Sequence, residues 1–299
     1  MQKYKIAFLG GDKRELIIMK RLLRYHYDIW AYAIPPSLLP PEITFAESIK
    51  EALTGASAGI LPVGGVGNGG YLANLLDDPV YIEKSDLAEL QPGAIVLCGV
   101  TGSVLPKLIA DLPLHAIAVM EYPQVAESLA LATAEGALAV AIGAGEGVLW
   151  GAECLIVGYG RIGRELAPRL AALGAHVRIA NRGNDRLEAA KTAGFAVIEW
   201  GDWIQTAATS NYIFNTAPAL LFDSSVLQKL NPQTVLIDLA SAPGGVDWQT
   251  ADLLGIQAVQ ALGLPGKYAP GFAGLVLADV YEQILWDCLA KRGNRDERS

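Results

Sequence analysis

The sequence is poor in the residues that most often bind metals. It has three cysteines and three histidines in 299 residues, and they are widely scattered. No pair of cysteines has the spacing of metal ligands. Cys98 and Cys154 lie in apolar runs typical of strands, where buried and inert thiols are expected. The sequence therefore predicts no metal site.

Charge is also scarce. Charged residues make up 18% of the chain and leave a net charge of −8. This balance argues against a nucleic-acid partner, because neutralising phosphates requires a basic surface. Apolar residues make up 52%, enough for full cores and too much for disorder. A length of 299 residues predicts two domains.

One apolar stretch, residues 129–150, is long enough to suggest a membrane span. It contains Glu135, Glu146 and four glycines, so it predicts a buried helix followed by a loop. The first residues show no signal-peptide pattern. We therefore expect a cytoplasmic protein that binds no membrane.

Short apolar runs alternate with helical patterns along the chain, which predicts an α/β fold with two doubly wound, Rossmann-like parallel sheets. An N-terminal flavodoxin- or Rossmann-like substrate domain is expected over residues 1–125, completed by a C-terminal helix over 272–292. A connecting helix and loop take up 126–150, and a dinucleotide-binding Rossmann domain takes up 151–271. The predicted strands are Ile6–Leu9, Ile29–Ala33, Gly59–Val63, Ala94–Cys98, Ile117–Met120, Cys154–Val157, Val177–Ala180, Ala196–Glu199, Tyr212–Asn215, Val235–Leu239 and Gln257–Ala261.

A glycine motif follows the strand Cys154–Val157 and opens a helical stretch. It reads Gly158-Tyr159-Gly160-Arg161-Ile162-Gly163. In a dinucleotide site the first glycine allows the turn, the second admits the diphosphate and the third lets helix and strand pack closely. The helix N-terminus offers free N–H groups to the phosphates. The alternative is an ordinary glycine-rich turn.

The end of the next strand indicates which cofactor is bound. A site for NAD usually has an Asp or Glu there, which binds the ribose hydroxyls. This chain has Asn181-Arg182 instead, and a guanidinium can pair with a 2′-phosphate. The sequence thus favours NADP over NAD. A solvated Arg182 and a turn-forming Asn181 are the alternative.

Polar or glycine-rich loops follow several other strands, and the carboxyl ends of parallel strands are where ligands bind. For the cofactor we predict contacts from Asn215, Thr216, Pro218, Asp238, Ala240 and Ser241. For the substrate we predict Asp12, Arg14, Gly99, Thr101 and Ser103. Alternatively, each loop is an ordinary turn without a ligand, in which Arg14 is solvated and Ser103 is a helix N-cap. Glu135, on an apolar helix, is expected to be buried and either paired or facing the ligand.

Together these segments resemble the A subunit of dipicolinate synthase of spore-forming bacteria, over nearly the whole chain from about residue 4 to 290. The strings Asp-Leu-Ala-Ser-x-Pro-Gly-Gly and Gly-Leu-Pro-Gly are its most specific part. The resemblance rests on Gly10–Asp12, Leu61–Val63, Gly99, Glu135-Gly136, Gly158–Gly163, Asn215-Thr216, Asp238–Gly245 and Gly263–Gly266.

The resemblance implies NAD(P)-dependent oxidation of dihydrodipicolinate, from the lysine pathway, to dipicolinate during sporulation. It implies an arrangement like that of D-2-hydroxyacid and alanine dehydrogenases and a flavoprotein-like B subunit as partner; we also expect a homo-oligomer. The chain departs from the family at Gly271-Phe272, where Lys-Thr is expected.

For this reaction, Arg14 and Lys267 would bind the two carboxylates of the substrate, and Thr101 and Ser103 would form hydrogen bonds with it. Glu135 would be the acid/base. The candidate catalytic residues are therefore Glu135 and Lys267. Two other functions stay open at this point. The chain could be a non-catalytic NADP(H)-binding subunit or sensor, or a dehydrogenase of a small amino or hydroxy acid.

Overall fold

The computed structural model describes residues 4–241 and 243–296, with the backbone alone from residue 290 onward. The chain divides into two compact units. Among the described residues, the first unit contains residues 4–126 and 270–296, and the second contains residues 127–241 and 243–269. The last helix is therefore part of the first unit, and the segment 127–150 belongs to the second unit.

The first unit is built on a six-stranded parallel sheet. The strands of this sheet are β1 (Lys5–Leu9), β2 (Asp28–Tyr32), β3 (Thr44–Phe45), β4 (Ala58–Ile60), β7 (Ile95–Cys98) and β8 (His115–Ala118). Strands β5 (Tyr71–Leu72) and β6 (Val80–Tyr81) form a separate antiparallel hairpin. The order across the sheet is β3-β2-β1-β4-β7-β8. The α-helices in residues 4–122 are α1 (Lys13–Leu22), α2 (Ile49–Leu53), α3 (Lys84–Leu87) and α4 (Leu105–Ile109).

A long helix, α5 (Pro123–Ala144), leads into the second unit. By length and composition it could cross a membrane, and it is the one such helix among the described residues. Its small residues Ala134, Ala137 and Ala141 are fully buried in the core of the second unit. The predicted buried helix is therefore buried on one side only, and Glu135 and Ile142 of α5 are exposed.

The second unit has a six-stranded parallel sheet of the same winding. Its strands are β9 (Glu153–Val157), β10 (His176–Ala180), β11 (Ala196–Ile198), β12 (Tyr212–Asn215), β13 (Val235–Asp238) and β14 (Gln257–Gln260). Its helices are α6 (Arg161–Ala172), α7 (Asn184–Thr192), α8 (Trp203–Ala208), α9 (Ser224–Leu227), α10 (Trp248–Leu254) and α11 (Leu264–Tyr268). The order β11-β10-β9-β12-β13-β14 reverses between β9 and β12. That reversal is where doubly wound sheets bind ligands.

The final helix, α12 (Pro270–Asp296), packs against α1 in the first unit. The approach is close, because a Cβ at Gly274 would lie 2.8 Å from the Cβ of Ile17. Tyr281 of α12 is fully buried. This contact completes the core on one face of the first sheet.

The predicted strands lie where the structure has strands, with ends displaced by up to three residues. The predicted strand Gly59–Val63 is the clearest overestimate, since β4 ends at Ile60. Leu61 and Val63 stay buried beyond the strand, so their hydrophobicity extended the prediction. The two-residue strand β3 and the hairpin β5–β6 were not predicted. Such short pairings leave no periodic pattern.

Candidate functional site

The turn from β9 to α6 requires two of its glycines. Gly158 has a φ of 102°, and a Cβ there would lie 2.3 Å from Thr216 Oγ1. A Cβ at Gly163 would lie 2.3 Å from the carbonyl oxygen of Gly158. Helix α6 therefore packs against the turn with no room for a side chain. This is the close approach that a diphosphate-binding turn needs.

The N-terminus of α6 has no side-chain cap. Gly160 is its N-cap and makes no side-chain capping bond, and the first turn has no acidic residue. The nearest group to a Cβ at Gly160 would be the Arg186 Nη1, at 3.7 Å. Arg161 is exposed, while Ile162 is half-buried and packs on the core. The turn thus presents free backbone N–H groups, with a guanidinium beside them, which suits an anion.

A cleft of about 450 Å³ lies at the carboxyl ends of β9, β10, β11 and β12. Its lining residues are Val157, Gly158, Asn181, Arg182, Gly183, Asp185, Arg186, Trp200, Ala217, Pro218, Ala219 and Leu221. The Arg182 guanidinium lies over the Trp200 ring, 5.7 Å from its centroid. Arg182 and Arg186 give this wall two cations against the single carboxylate of Asp185. The wall is therefore suited to a phosphate.

Asn181 holds the glycine turn. It is buried, its Oδ1 accepts a hydrogen bond from the Tyr159 backbone N–H at 3.2 Å, and its Nδ2 donates to the Gly183 carbonyl at 2.8 Å. Both ends of its amide are therefore engaged within the protein. Its role here is to fix the loop, and Arg182 is the residue of this pair that faces the cleft with its charge.

Asn215 and Asp238 form a fully buried pair at the ends of β12 and β13. The Asn215 Nδ2 donates to Asp238 Oδ1 at 2.8 Å, and the carboxylate also accepts from the backbone N–H groups of Ala240 and Gly245. Direct contact with a cofactor, as predicted for both residues, is contradicted by this burial. Through these hydrogen bonds, Asn215 and Asp238 instead hold the loops after β12 and β13 in place.

The neighbouring predicted residues divide between structure and surface. Thr216 donates to the carbonyls of Val157 and Gly158 at 3.1 Å, which ties β12 to the glycine turn. Pro218 lines the cleft. Ala240 is buried, Ser241 is exposed, and Ala242 lies outside the described residues.

Replacing Asp238 with Ala should lower the free energy of unfolding by about 3 kcal/mol, because three buried donors lose their acceptor. Denaturant unfolding measures this loss. Asp252→Ala is the matched control, since Asp252 is exposed on α10 and its removal should change stability by no more than about 0.5 kcal/mol. Equal effects of the two variants would contradict the structural role of Asp238.

In the first unit, Asp12 and Arg14 form a close ion pair after β1. Asp12 is the N-cap of α1, and it accepts from Arg14 Nε and Nη2 at 2.8 to 3.1 Å. The Arg14 side chain is only 13% exposed, so the alternative of a solvated residue is wrong. Burial raises the pKa of Asp12, but the hydrogen bonds from Arg14 outweigh it and hold that pKa below its usual value.

Glu15 is a residue that the sequence reasoning missed. It is 1% exposed, and its carboxyl accepts from the Asp12 backbone N–H at 2.7 Å and from the Val63 backbone N–H at 2.8 Å. Burial, and then the charge of Asp12, raise the pKa of Glu15 to about 7. The spacing Asp-x-x-Glu at a helix start, a capping box, was the signal available.

The loop after β7 holds the other predicted substrate residues. Gly99 is buried and leaves room for the β4 loop, since its Cβ would lie 2.0 Å from the Val63 carbonyl oxygen. Thr101 is half-buried and Ser103 is exposed. The N-cap of α4 is Val104, with no side-chain cap, so the alternative of Ser103 as the N-cap is wrong.

Glu135 and Lys267 both belong to the second unit, and neither lines its cleft. The prediction of a buried Glu135 is wrong. Its side chain is 58% exposed, with Oε1 3.8 Å from Arg169 Nε, because the alanines of α5 take the core face. Lys267 is exposed on α11. Their catalytic roles stay predictions.

The two thiols predicted to be inert are buried. Burial, followed by a neighbouring glutamate charge, raises the pKa of Cys98 to about 11 and that of Cys154 to about 12. Both are therefore neutral thiols near pH 7. Among the side chains that the structure describes, in residues 4–241 and 243–289, no three His, Cys, Asp or Glu come together as metal ligands would.

The chain is similar to the A subunit of dipicolinate synthase. Residues 5–120 match the family described as the N-terminal domain of that subunit. The A subunit of dipicolinate synthase from Bacillus subtilis (strain 168) is 27% identical over 97% of this chain and 98% of its own. The crystal structure of the corresponding protein from Bacillus halodurans is 28% identical, with a TM-score of 0.86 over 95% of this chain and 97% of that one. The resemblance found in the sequence is confirmed.

The dehydrogenase-like fold is confirmed as well. Residues 144–252 match the family described as D-isomer specific 2-hydroxyacid dehydrogenase, NAD binding domain. L-Alanine dehydrogenase has a TM-score of 0.61 over 95% of this chain and 94% of its own, at 16% identity, which speaks to the fold alone. The second unit is therefore similar to the NAD-binding domains of dehydrogenases.

Proposed function

We propose that this chain, which is similar to the A subunit of dipicolinate synthase over nearly its whole length, is the NADP-linked component of such an enzyme. It oxidises dihydrodipicolinate to dipicolinate. NADP⁺, held by the glycine turn with Arg182 and Arg186, would take a hydride from a ring carbon while the ring loses one proton, so that the products would be dipicolinate, NADPH and H⁺. Formation of the aromatic ring drives the step, and the protein positions the reactants and accepts the proton.

The cleft of the second unit is the observation that carries this proposal. Its glycine turn and the uncapped N-terminus of α6 suit the diphosphate. Arg182 follows β10, where a site for NAD usually has a carboxylate for the ribose hydroxyls, and Arg186 of α7 lines the same cleft. Two guanidinium groups favour a 2′-phosphate, which supports NADP as the preferred cofactor and NAD as the weaker one.

The Asp12–Arg14 pair supports a dicarboxylate substrate in the first unit. Arg14 uses Nε and Nη2 for Asp12, and its Nη1 bonds to none of the described residues. A largely buried guanidinium with one free donor nitrogen can bind a carboxylate strongly. We propose Lys267 for the second carboxylate, Thr101 and Ser103 for the ring, and Glu135 for the proton. The last three assignments rest on the sequence alone.

The wider setting follows from the same resemblance. We propose that the chain works in the cytoplasm during sporulation, on a substrate drawn from the lysine pathway. Its partner is a flavoprotein-like B subunit, since the relatives carry the name of an A subunit. We also propose that it forms a homo-oligomer.

A non-catalytic NADP(H)-binding subunit is the second candidate. Two observations favour it: Gly271-Phe272 replaces the Lys-Thr expected for the family, and Glu135 is exposed and ion-paired. This candidate would bind the same cofactor in the same cleft. It differs in supporting no turnover of a dicarboxylate.

One assay separates the two. The purified protein, with and without a B subunit, is mixed with NADP⁺ and freshly made dihydrodipicolinate. The enzyme should raise the absorbance of NADPH at ~340 nm together with that of the pyridine ring, and the molar amounts of NADPH and dipicolinate formed should be in a ratio of about one to one, as the hydride stoichiometry requires. Cofactor binding without turnover in either mixture would favour the non-catalytic subunit.

A further inference from the structure

Glu15 lies in a space that the surrounding chain keeps open for its carboxyl group. A Cβ at Gly11, whose φ is 108°, would lie 2.4 Å from the Glu15 Cδ. The two carboxyl oxygens are held by backbone N–H groups from the ends of two different strands, through Asp12 and Val63. The carboxyl group therefore joins the β1 and β4 loops at the carboxyl edge of the first sheet.

Helix capping alone does not account for this burial. Helix α3 has the same kind of capping box, in which Asp86 accepts from the Glu83 backbone N–H at 2.8 Å. Asp86 does so while partly exposed to solvent. A capping side chain must form the hydrogen bond, but it does not have to be buried. The burial of Glu15 therefore calls for another explanation.

A second buried group near Glu15 has an unused hydroxyl. Tyr281 of α12 is fully buried, and its hydroxyl has no hydrogen-bond partner among the described residues. Burial, and then the charge of Glu15, raise the pKa of Tyr281 well above its usual value. An unpaired buried hydroxyl is costly in free energy, and a tyrosine hydroxyl can either donate or accept a hydrogen bond.

The ionisable groups around this point come from three elements. Asp12 and Arg14 belong to α1 and its cap, Tyr281 to α12, and Cys98, itself influenced by Glu121, to β7. With Asp12 and Glu15 both ionised, two negative charges face one guanidinium. Protonation of Glu15 removes one of these two negative charges, so the Arg14 guanidinium attracts an anionic ligand more strongly.

We propose that Glu15 is a positioning residue of the Arg14 site, which takes up a proton when a dicarboxylate binds there and releases it when the ligand leaves. The proposal rests on the proposed substrate class. Glu15 acts through Asp12 and Arg14, since it is itself out of reach of solvent. Its pKa of about 7 means that the carboxyl is about half protonated near neutral pH and can take up about half a proton more when the ligand binds.

Titration calorimetry with dipicolinate itself, in metal-free buffers of different ionisation enthalpy at pH 7, tests the coupling. The wild-type protein should take up about half a proton per ligand bound. Glu15→Gln should bind dipicolinate with no uptake. Glu282→Gln is the matched control, because Glu282 lies in the same unit and pairs with Arg21, and it should keep the wild-type uptake.

Dipicolinate binding to the wild-type protein without proton uptake, or unchanged uptake in Glu15→Gln, would overturn the role of Glu15 and leave the proposed function standing. No binding of dipicolinate would overturn both. If Glu15→Gln does not fold, the wild-type protein alone decides. Its Kd for dipicolinate should then rise up to about tenfold per pH unit above pH 7, and a flat Kd between pH 6 and 9 would overturn the proposal.

Discussion

Replacing Gly163 with Ala should weaken NADPH binding at least about 100-fold, although alanine is the better helix former by about 1 kcal/mol. The added Cβ would lie 2.3 Å from the Gly158 carbonyl oxygen and 3.5 Å from Ile156 Cγ2. The first contact is with backbone, which cannot move away as a flexible side chain can. Helix α6 must therefore shift, and its first N–H groups leave the position where the diphosphate binds.

Gly201→Ala is the control for this change. Gly201 lies in the same unit, and a Cβ there would meet nothing within 4 Å. The affinity of the Gly201→Ala variant for NADPH, measured by calorimetry, should match that of the wild-type protein. Wild-type affinity in Gly163→Ala would mean that the diphosphate does not lie against the start of α6.

Replacing both Arg182 and Arg186 with Ala should weaken NADPH binding about 100-fold and NADH binding no more than about threefold. The 2′-phosphate of NADPH would lose two charge-assisted contacts, each worth about 1.5–3 kcal/mol before the remaining groups adjust. NADH has no phosphate at this position and would lose little. Parallel titrations with the two dinucleotides measure the ratio.

Arg164→Ala controls for the loss of positive charge. Arg164 is exposed on α6 and lies outside the residues that line the cleft. Its removal should leave the preference for NADPH over NADH unchanged. Equal losses for both dinucleotides in the double variant would show that these arginines do not recognise the 2′-phosphate.

The features that could be predicted from the sequence are local or periodic. The β9–α6 turn follows from three glycines, one strand and one helical pattern, and the structure places each where the motif requires. Strand positions follow from apolar runs that stay buried. These signals lie within a few neighbouring residues, so distant contacts are not needed to find them.

The features that were missed or misjudged depend on partners far along the chain. Glu15 acquires its role from Val63, 48 residues away. Asp238 looked like a ligand because the sequence does not show that Asn215 covers it. Glu135 looked buried because helix α5 is apolar all round, and only packing shows that its alanines take the core.

Titration of the wild-type protein with NADPH, followed by tryptophan fluorescence, tests the central claim most directly, because Trp200 lines the proposed cleft. We expect saturable quenching at one site per chain, lost in Gly163→Ala, and weaker binding of NADH. Failure of both dinucleotides to change the fluorescence or the melting temperature at saturating concentration would contradict the account.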